Sequence, residues 1–204
     1  MSRGWTVVIP VKGSTGKSRL AHPERAALAS AIALDTLDAV CRSEHVAAVV
    51  VVTSDGDLAL EAVSDVGGTV RPSVRVVPDP GEGLNPAIVA GLAAADPDLP
   101  RAALLGDLPA LAPADLDAVL ELAAAHERAF VADAEGTGTT LLTAGPGATL
   151  EPAFGADSAA RHAASGFSPL PVAEDSTVRR DVDTAAQLRT ASHLGLGPRT
   201  SALL

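Results

Sequence analysis

Residues 5–11 read WTVVIPV and residues 46–53 read VAAVVVVT, two short apolar runs rich in β-branched side chains. Each run is followed by a turn and then by a stretch with helical character, predicted over about 23–42 and 57–66. Short, nearly continuous apolar runs are typical of strands that are buried on both faces of a parallel sheet. The two segments therefore predict consecutive strand–helix units of an α/β protein.

The same alternation continues as far as residue 132. Further strands are predicted at 74–78, 102–105 and 129–132, with helices at 85–95 and 113–128 between them. Four strand–helix alternations predict a mostly parallel sheet with helices on both faces, which is a three-layer α/β/α sandwich.

After residue 133 the alternation ends and the remaining segments are irregular. The predicted elements there are a loop leading into a strand at 136–143, a helix at 158–164, a short strand at 170–172 and a helix at 184–194 capped by Asp183. Residues 195–204 are expected to be loosely held. Because neither a linker nor a change in composition divides the chain, we predict a single domain over 1–204.

Composition excludes several classes of protein. A net charge of −10 and only four residues of Phe and Trp argue against a nucleic-acid partner, which needs a basic surface and aromatic stacking. One cysteine excludes an internal disulfide framework. The longest apolar run has seven residues (46–52), and the amino terminus does not resemble a signal peptide, so a cytoplasmic protein without a membrane partner is expected.

In an open parallel sheet, ligands bind beyond the carboxyl ends of the strands. The loop after the first strand, KGSTGKSR at 12–19, holds Lys12 and Lys17, the only lysines among 15 basic residues. A P-loop is excluded, because the pattern requires glycine where this chain has Val11. Two interpretations stay open for this loop: a phosphate-binding turn and an ordinary solvated turn.

Carboxylates follow the predicted fourth strand and precede the last helix. Asp107 lies in LLGDLPAL, directly after an apolar strand, where a carboxylate is costly unless it is solvated or bound. This position suits a Mg²⁺ ligand, although a turn or cap residue is the alternative. A second carboxylate would come from RRDVDT at 179–184, where Asp183 could equally be an N-cap.

Two polar segments in the last third have no evident use in a helix or strand. GTGTTLLT at 136–143 and FGADS at 154–158 expose backbone N–H groups and hydroxyls, which are the donors that an anion site needs. His126 and His162 lack partners at metal-ligand spacing, so we interpret both as structural and predict no zinc site.

Taken together, the motifs resemble a known family over nearly the whole chain. They are VIPVKGSTGKSRL at 8–20, VVVTSD at 50–55, PDPGEGLNPAIVAG at 78–91, GDLPAL at 106–111, DAEGTGTTLLTA at 133–144, FGADSAARHAASG at 154–166 and RRDVDTAAQL at 179–188. In this order they resemble the guanylyltransferases of coenzyme F-420 biosynthesis, which are relatives of the molybdenum-cofactor guanylyltransferases.

The resemblance implies a Rossmann-like fold of the nucleotide-diphospho-sugar-transferase type and transfer of GMP from GTP to a phosphorylated three-carbon acid. It implies that Asp107 and Asp183 hold Mg²⁺, with Asp181 as the alternative second ligand. The remaining implied contacts are Thr140, Gly155 and Ser158 with the acid, Lys12 and Lys17 with the triphosphate, and Gly83 and Asn85 with the guanine or ribose.

The family that the chain resembles implies phosphoenolpyruvate, 2-phospho-L-lactate or 3-phosphoglycerate as the acceptor acid. The Arg-rich, Lys-poor composition favours a bacterial phosphoenolpyruvate-using member by association. A non-catalytic nucleotide-binding relative is the competing class, and whether the chain forms a homodimer is left open.

Overall fold

The computed structural model describes residues 4–11, 25–64 and 72–204, without the side chains of 62–64. Within these residues, seven strands form one sheet in the order β3-β2-β1-β4-β6-β5-β7. The strands are β1 (Trp5–Pro10), β2 (Val46–Thr53), β3 (Ser73–Pro78), β4 (Arg101–Leu104), β5 (Arg128–Ala132), β6 (Thr139–Ala144) and β7 (Ser168–Pro169).

Helices cover both faces of this sheet. They are α1 (Arg25–Cys41), α2 (Gly56–Ser64), α3 (Leu84–Leu92), α4 (Pro113–Ala123), α5 (Ser158–Ala164), α6 (Ala185–Ser192) and α7 (Pro198–Ser201), with a 3₁₀ turn at Thr177–Arg179. Among the described residues, none of these helices is both long and apolar enough to cross a bilayer.

The first strand explains how one sheet supports two cores. Val7 and Ile9 are fully buried against the side that carries α1 and α4, whereas Val8 packs with Ala87 of α3 on the opposite side. Successive side chains of a strand point to opposite faces. A strand that is buried on both faces must therefore be apolar throughout, as WTVVIPV is, and the predicted three-layer α/β/α architecture is confirmed.

One strand runs against the others. β6 pairs antiparallel with both β4 and β5, whereas β1, β2, β3 and β4 are mutually parallel. Only six residues, 133–138, join β5 to β6. That link is too short for the crossover that a parallel neighbour requires, so the chain forms a hairpin instead.

Three details of the sequence prediction are wrong. The N-cap of α6 is Thr184 rather than Asp183, because Thr184 and Gln187 form a reciprocal capping box. The short strand predicted at 170–172 lies instead at Ser168–Pro169, where it pairs with β5. Residues 195–204 are not loosely held, since they form α7 and bury Thr200 completely.

The carboxyl-terminal segment is fastened by a buried carboxylate on α1. Asp35, which is only 5% exposed, accepts hydrogen bonds from the backbone N–H groups of Arg199 at 3.1 Å and Thr200 at 2.7 Å. The Arg199 guanidinium lies 3.7 Å from the same carboxylate. This contact joins α7 to the longest helix of the described chain.

Replacement of Asp35 by Ala is expected to lower the free energy of unfolding by roughly 2–3 kcal/mol, because two buried N–H groups lose their acceptor. Urea denaturation followed by circular dichroism would measure this change. The control is Arg199→Gln, which removes the partly exposed ion pair but keeps the N–H bonds, and should cost less than about 1 kcal/mol. Equal losses in the two variants would contradict the role of the carboxylate as a backbone acceptor.

Candidate active site

A cavity of about 640 Å³ opens at the edge of the sheet where the parallel strands end. Its lining comes from the ends of β1 and β4, the start of α3, the β5–β6 loop, the loop that precedes α5, and the segment before α6. Because β6 runs in the opposite direction, its first residue, Thr139, also reaches this edge. The cavity therefore lies where ligands bind in open α/β sheets.

Two hydrogen bonds of the local backbone position Asp107. The N–H of Leu108 donates to the Thr36 hydroxyl of α1 at 3.0 Å, and the N–H of Val182 donates to the Asp107 carbonyl at 3.0 Å. The second bond brings residue 107 beside the segment that carries Asp181 and Asp183. Asp107 thus lines one cavity with Asp181 and Asp183, although more than 70 residues separate it from them in the sequence.

A further acidic cluster lies at the same place. One carboxylate oxygen from each of Asp133, Glu135 and Asp181 lies within 4.8 Å of the other two. Burial, and after it the charges of Asp107, Asp133, Asp183 and Glu135 in that order of importance, together raise the pKa of Asp181 to about 7. Carboxylates held this close repel one another unless a proton or a cation lies among them.

Asp133 also shapes the β5–β6 hairpin. Its carboxylate accepts the N–H groups of Thr137 at 2.9 Å and Gly138 at 2.8 Å. A Cβ at residue 138 would lie 2.2 Å from the Asp133 carboxylate, so a larger residue there would displace this carboxylate from its position. The guanidinium of Arg179 donates to the Asp133 carbonyl at 2.9 Å, which fixes the residue from the other side.

The loop before α5 forms the opposite wall. The Asn85 side chain donates to the Phe154 carbonyl at 3.1 Å and accepts the Phe154 N–H at 2.8 Å, so α3 holds this loop by both backbone groups. Gly155 has a φ of 123° and Asp157 a φ of 53°, both in the left-handed region. Such backbone is uncommon for a residue other than glycine, and at Asp157 it occurs beside the cavity.

The buried ring of His162 connects two walls of the cavity, the start of β6 and the loop before α5. The ring is fully buried among Phe130, Phe154 and Phe167, and burial, with a smaller effect of Arg161, lowers its pKa to about 4. Its Nε2 accepts the N–H of Ala153 at 3.0 Å, and its Nδ1 lies 2.9 Å from the Thr139 hydroxyl. A neutral, hydrogen-bonded ring of this kind agrees with the structural interpretation from the sequence.

The structure brings together four of the sequence-predicted site residues. Asp107, Asp183, Gly155 and Ser158 all line the cavity, as does the alternative ligand Asp181. Lys12 and Lys17 lie outside the described residues.

Three predicted residues are not part of the lining. Thr140 is fully buried, and its hydroxyl has no hydrogen-bond partner among the described residues. Gly83 is the N-cap of α3 and has a φ of 107°, and the side-chain amide of Asn85 hydrogen-bonds to Phe154. The roles of these residues toward substrates stay predictions.

Sequence reasoning missed Asp133, Glu135, Thr139 and the link through His162. Asp133 could have been found, because it directly follows the predicted fifth strand and so obeys the same rule that selected Asp107. Thr139 lies in the polar segment 136–143 that the sequence indicates as a donor site, but its approach to the cavity, like that of Glu135, depends on the hairpin between β5 and β6.

The chain is similar to known proteins over nearly its whole length. The chain is 48% identical to a phosphoenolpyruvate guanylyltransferase of Thermomonospora curvata, covering 98% of this chain and 88% of the relative. It is equally 48% identical to a phosphoenolpyruvate guanylyltransferase of Streptomyces coelicolor, covering 98% and 95%. No protein-family model matches the chain.

Solved structures share the fold at low identity. A 4-diphosphocytidyl-2C-methyl-D-erythritol synthase of Anaerococcus prevotii superposes with a TM-score of 0.60 at 13% identity, over 94% of this chain and 95% of that one. Rv0371c of Mycobacterium tuberculosis, solved in complex with manganese, gives 0.54 at 20% identity, over 94% and 98%. These likenesses support the nucleotidyltransferase-like architecture.

Proposed function

We propose that this chain, which belongs to the phosphoenolpyruvate guanylyltransferase family, transfers GMP from GTP to the phosphate of phosphoenolpyruvate. The products are enolpyruvoyl-2-diphospho-5′-guanosine and pyrophosphate, as in coenzyme F-420 biosynthesis. The observation that carries the proposal is a single cavity lined both by several carboxylates and by a loop rich in hydrogen-bond donors. Residues 1–204 act as one nucleotidyltransferase domain in the cytoplasm.

The reaction needs little covalent work from the protein. An oxygen of the phosphoenolpyruvate phosphate attacks the α-phosphorus of GTP, forming a new P–O bond. The bond from the α-phosphorus to the bridging oxygen breaks, and pyrophosphate leaves with that electron pair. Positioning of the two anionic substrates and neutralisation of their charge account for most of the catalysis in such transfers.

The metal of this site is proposed to be Mg²⁺, held by Asp107 and Asp183 with Asp181 beside them. The carboxylates fit a hard cation, since the buried Oδ1 of Asp181 has no hydrogen-bond partner among the described residues, and burial together with four negative neighbours raises the pKa of this carboxyl. A bound divalent cation would supply positive charge against the phosphates. This explains how a chain of net charge −10 can bind small anions without a basic surface for nucleic acid.

The acid is proposed to bind at the donor-rich wall, through Thr140, Gly155 and Ser158. Ser158 is nearly fully buried yet lines the cavity, and Gly155 provides open backbone beside it. For GTP we propose Lys12 and Lys17 at the triphosphate.

The guanine or ribose of GTP is proposed to lie near Gly83 and Asn85. The cavity is lined nearby in the sequence by Asp79, which follows β3, and by Leu84 and Ala87 of α3. These positions support this arrangement.

The test is pyrophosphate release by the pure protein with GTP, Mg²⁺ and each of the three acids. Phosphoenolpyruvate is expected to give the highest kcat/KM, exceeding 2-phospho-L-lactate by roughly 10–100-fold, because acids that differ so little in shape are separated by only ~1–3 kcal/mol. A higher kcat/KM with 2-phospho-L-lactate would reassign the acceptor. Binding of GTP without release from any acid would favour the non-catalytic relative.

A further inference from the structure

The tautomer of His162 follows from its surroundings. Because the Ala153 N–H donates to Nε2 at 3.0 Å, Nε2 must carry the lone pair, and in a neutral ring the hydrogen is then on Nδ1. The low pKa of the buried ring, about 4, keeps it neutral near pH 7. His162 is therefore the donor in its 2.9 Å contact with the Thr139 hydroxyl oxygen.

This direction determines where the hydrogen of the Thr139 hydroxyl can point. The oxygen already accepts from Nδ1, so its own hydrogen must go to another acceptor. Thr139 is 3% exposed and lines the cavity together with Gly138 and Ser158. Among the described residues, His162 is the hydrogen-bond partner of this hydroxyl, and no second acceptor accompanies it.

We propose that the Thr139 hydroxyl donates a hydrogen bond to an anionic oxygen of the acceptor acid, and that His162 is the positioning residue that imposes this direction. The inference rests on the proposed function, of which it specifies one contact. A hydroxyl that must donate discriminates in favour of a carboxylate or phosphate oxygen, which can only accept.

His162 also fixes the distance between the walls that carry the donors. It bonds Thr139 at the start of β6 and Ala153 before α5, while the Ala159 N–H donates to the Thr137 carbonyl at 3.0 Å. The donor hydroxyl is thereby held relative to Gly155 and Ser158. Preorganised donors of this kind avoid the cost of reorientation when an anion binds.

The experiment compares KM values for phosphoenolpyruvate and GTP in variants of Thr139. Thr139→Val removes the hydroxyl at nearly constant shape and is expected to raise the KM for phosphoenolpyruvate roughly ten-fold, the effect of one hydrogen bond to a charged group. The KM for GTP should stay within about two-fold, and Thr139→Ser should restore most of the acceptor KM. Thr139→Ala serves the same purpose if the valine disturbs packing.

Two His162 variants separate positioning from stability. The amide of Gln can overlay Nε2 and keep the acceptor for Ala153, whereas the amide of Asn can overlay Nδ1 and keep the donor to Thr139. We expect His162→Gln to raise the acceptor KM as Thr139→Val does, and His162→Asn to raise it less even if its melting temperature falls further. If His162 were only structural, the rise in the acceptor KM of the two variants would follow their loss of melting temperature.

Thr143→Val is the matched control, since it removes a buried hydroxyl from the same strand. The Thr143 hydroxyl donates to the Ala129 carbonyl at 3.1 Å, and Thr143 does not line the cavity. If the wild-type protein is active and Thr139→Val has the same KM for phosphoenolpyruvate, this inference is wrong and the proposed function stands. A wild-type protein inactive with all three acids would overturn the proposed function and this inference with it.

Discussion

Asp107→Asn is expected to lower kcat/KM for guanylyl transfer by roughly 100-fold or more, because a carboxylate that holds a metal ion contributes several kcal/mol to the transition state. The fold should survive, since the backbone bonds of this turn do not involve the side chain: the Val182 N–H reaches the Asp107 carbonyl, and the Leu108 N–H reaches Thr36. Steady-state kinetics at saturating Mg²⁺ would measure the loss.

A second measurement separates metal binding from other losses. Asp107→Asn should require a higher Mg²⁺ concentration for half-maximal rate, because the variant has lost a ligand. Glu121→Gln is the control: it removes one charge from an exposed position on α4, away from the cavity. If Asp107→Asn turned over at close to the wild-type rate, Asp107 would be a turn residue, as the alternative interpretation of LLGDLPAL holds.

Much of the fold was predictable because its central strands are buried on both faces. The runs at 5–11 and 46–53 contain almost no polar residue, and the structure has β1 and β2 at Trp5–Pro10 and Val46–Thr53. Local composition recognises such strands because they are short, rich in β-branched residues and followed by turn residues. Their order in the sheet and the antiparallel direction of β6 depend on pairing between distant segments.

The strand-end rule predicted one part of the site, while Asp183, Gly155 and Ser158 came from the polar segments and the family resemblance. That rule selected Asp107, and the same rule applied to β5 would have selected Asp133. It says nothing of Thr139, which reaches the cavity only because β6 is reversed. It equally says nothing of His162, whose partners at 139 and 153 lie far from it in the sequence.

Asp181 is a partly buried carboxylate among the negative charges of the acidic cluster. Its pKa is about 7 in the folded protein, against an ordinary value of 3.8. Between these values the folded state binds more protons than the unfolded state, so stability falls as the pH rises through this window. Above pH 7 the folded protein carries the full penalty of a buried carboxylate among negative neighbours.

Asp181→Asn should therefore raise the free energy of unfolding of the metal-free protein at pH 8 by roughly 1–3 kcal/mol, and the gain should vanish near pH 4. The same variant should lose guanylyl transfer and the stabilisation that added Mg²⁺ gives the wild-type protein, because repulsion between carboxylates is what a bound cation relieves. Urea denaturation at pH 4, 6 and 8, with and without Mg²⁺, would measure both effects.

Asp175→Asn is the control for the general effect of charge in that experiment. Asp175 is exposed and does not line the cavity, so its replacement should change stability equally at all three pH values. A gain for Asp181→Asn that is independent of pH would mean that packing, and not the carboxylate charge, is responsible. A loss of stability at pH 8 would mean that the carboxylate is already neutralised in the metal-free protein, and the repulsion that makes this cluster a cation site would then be absent.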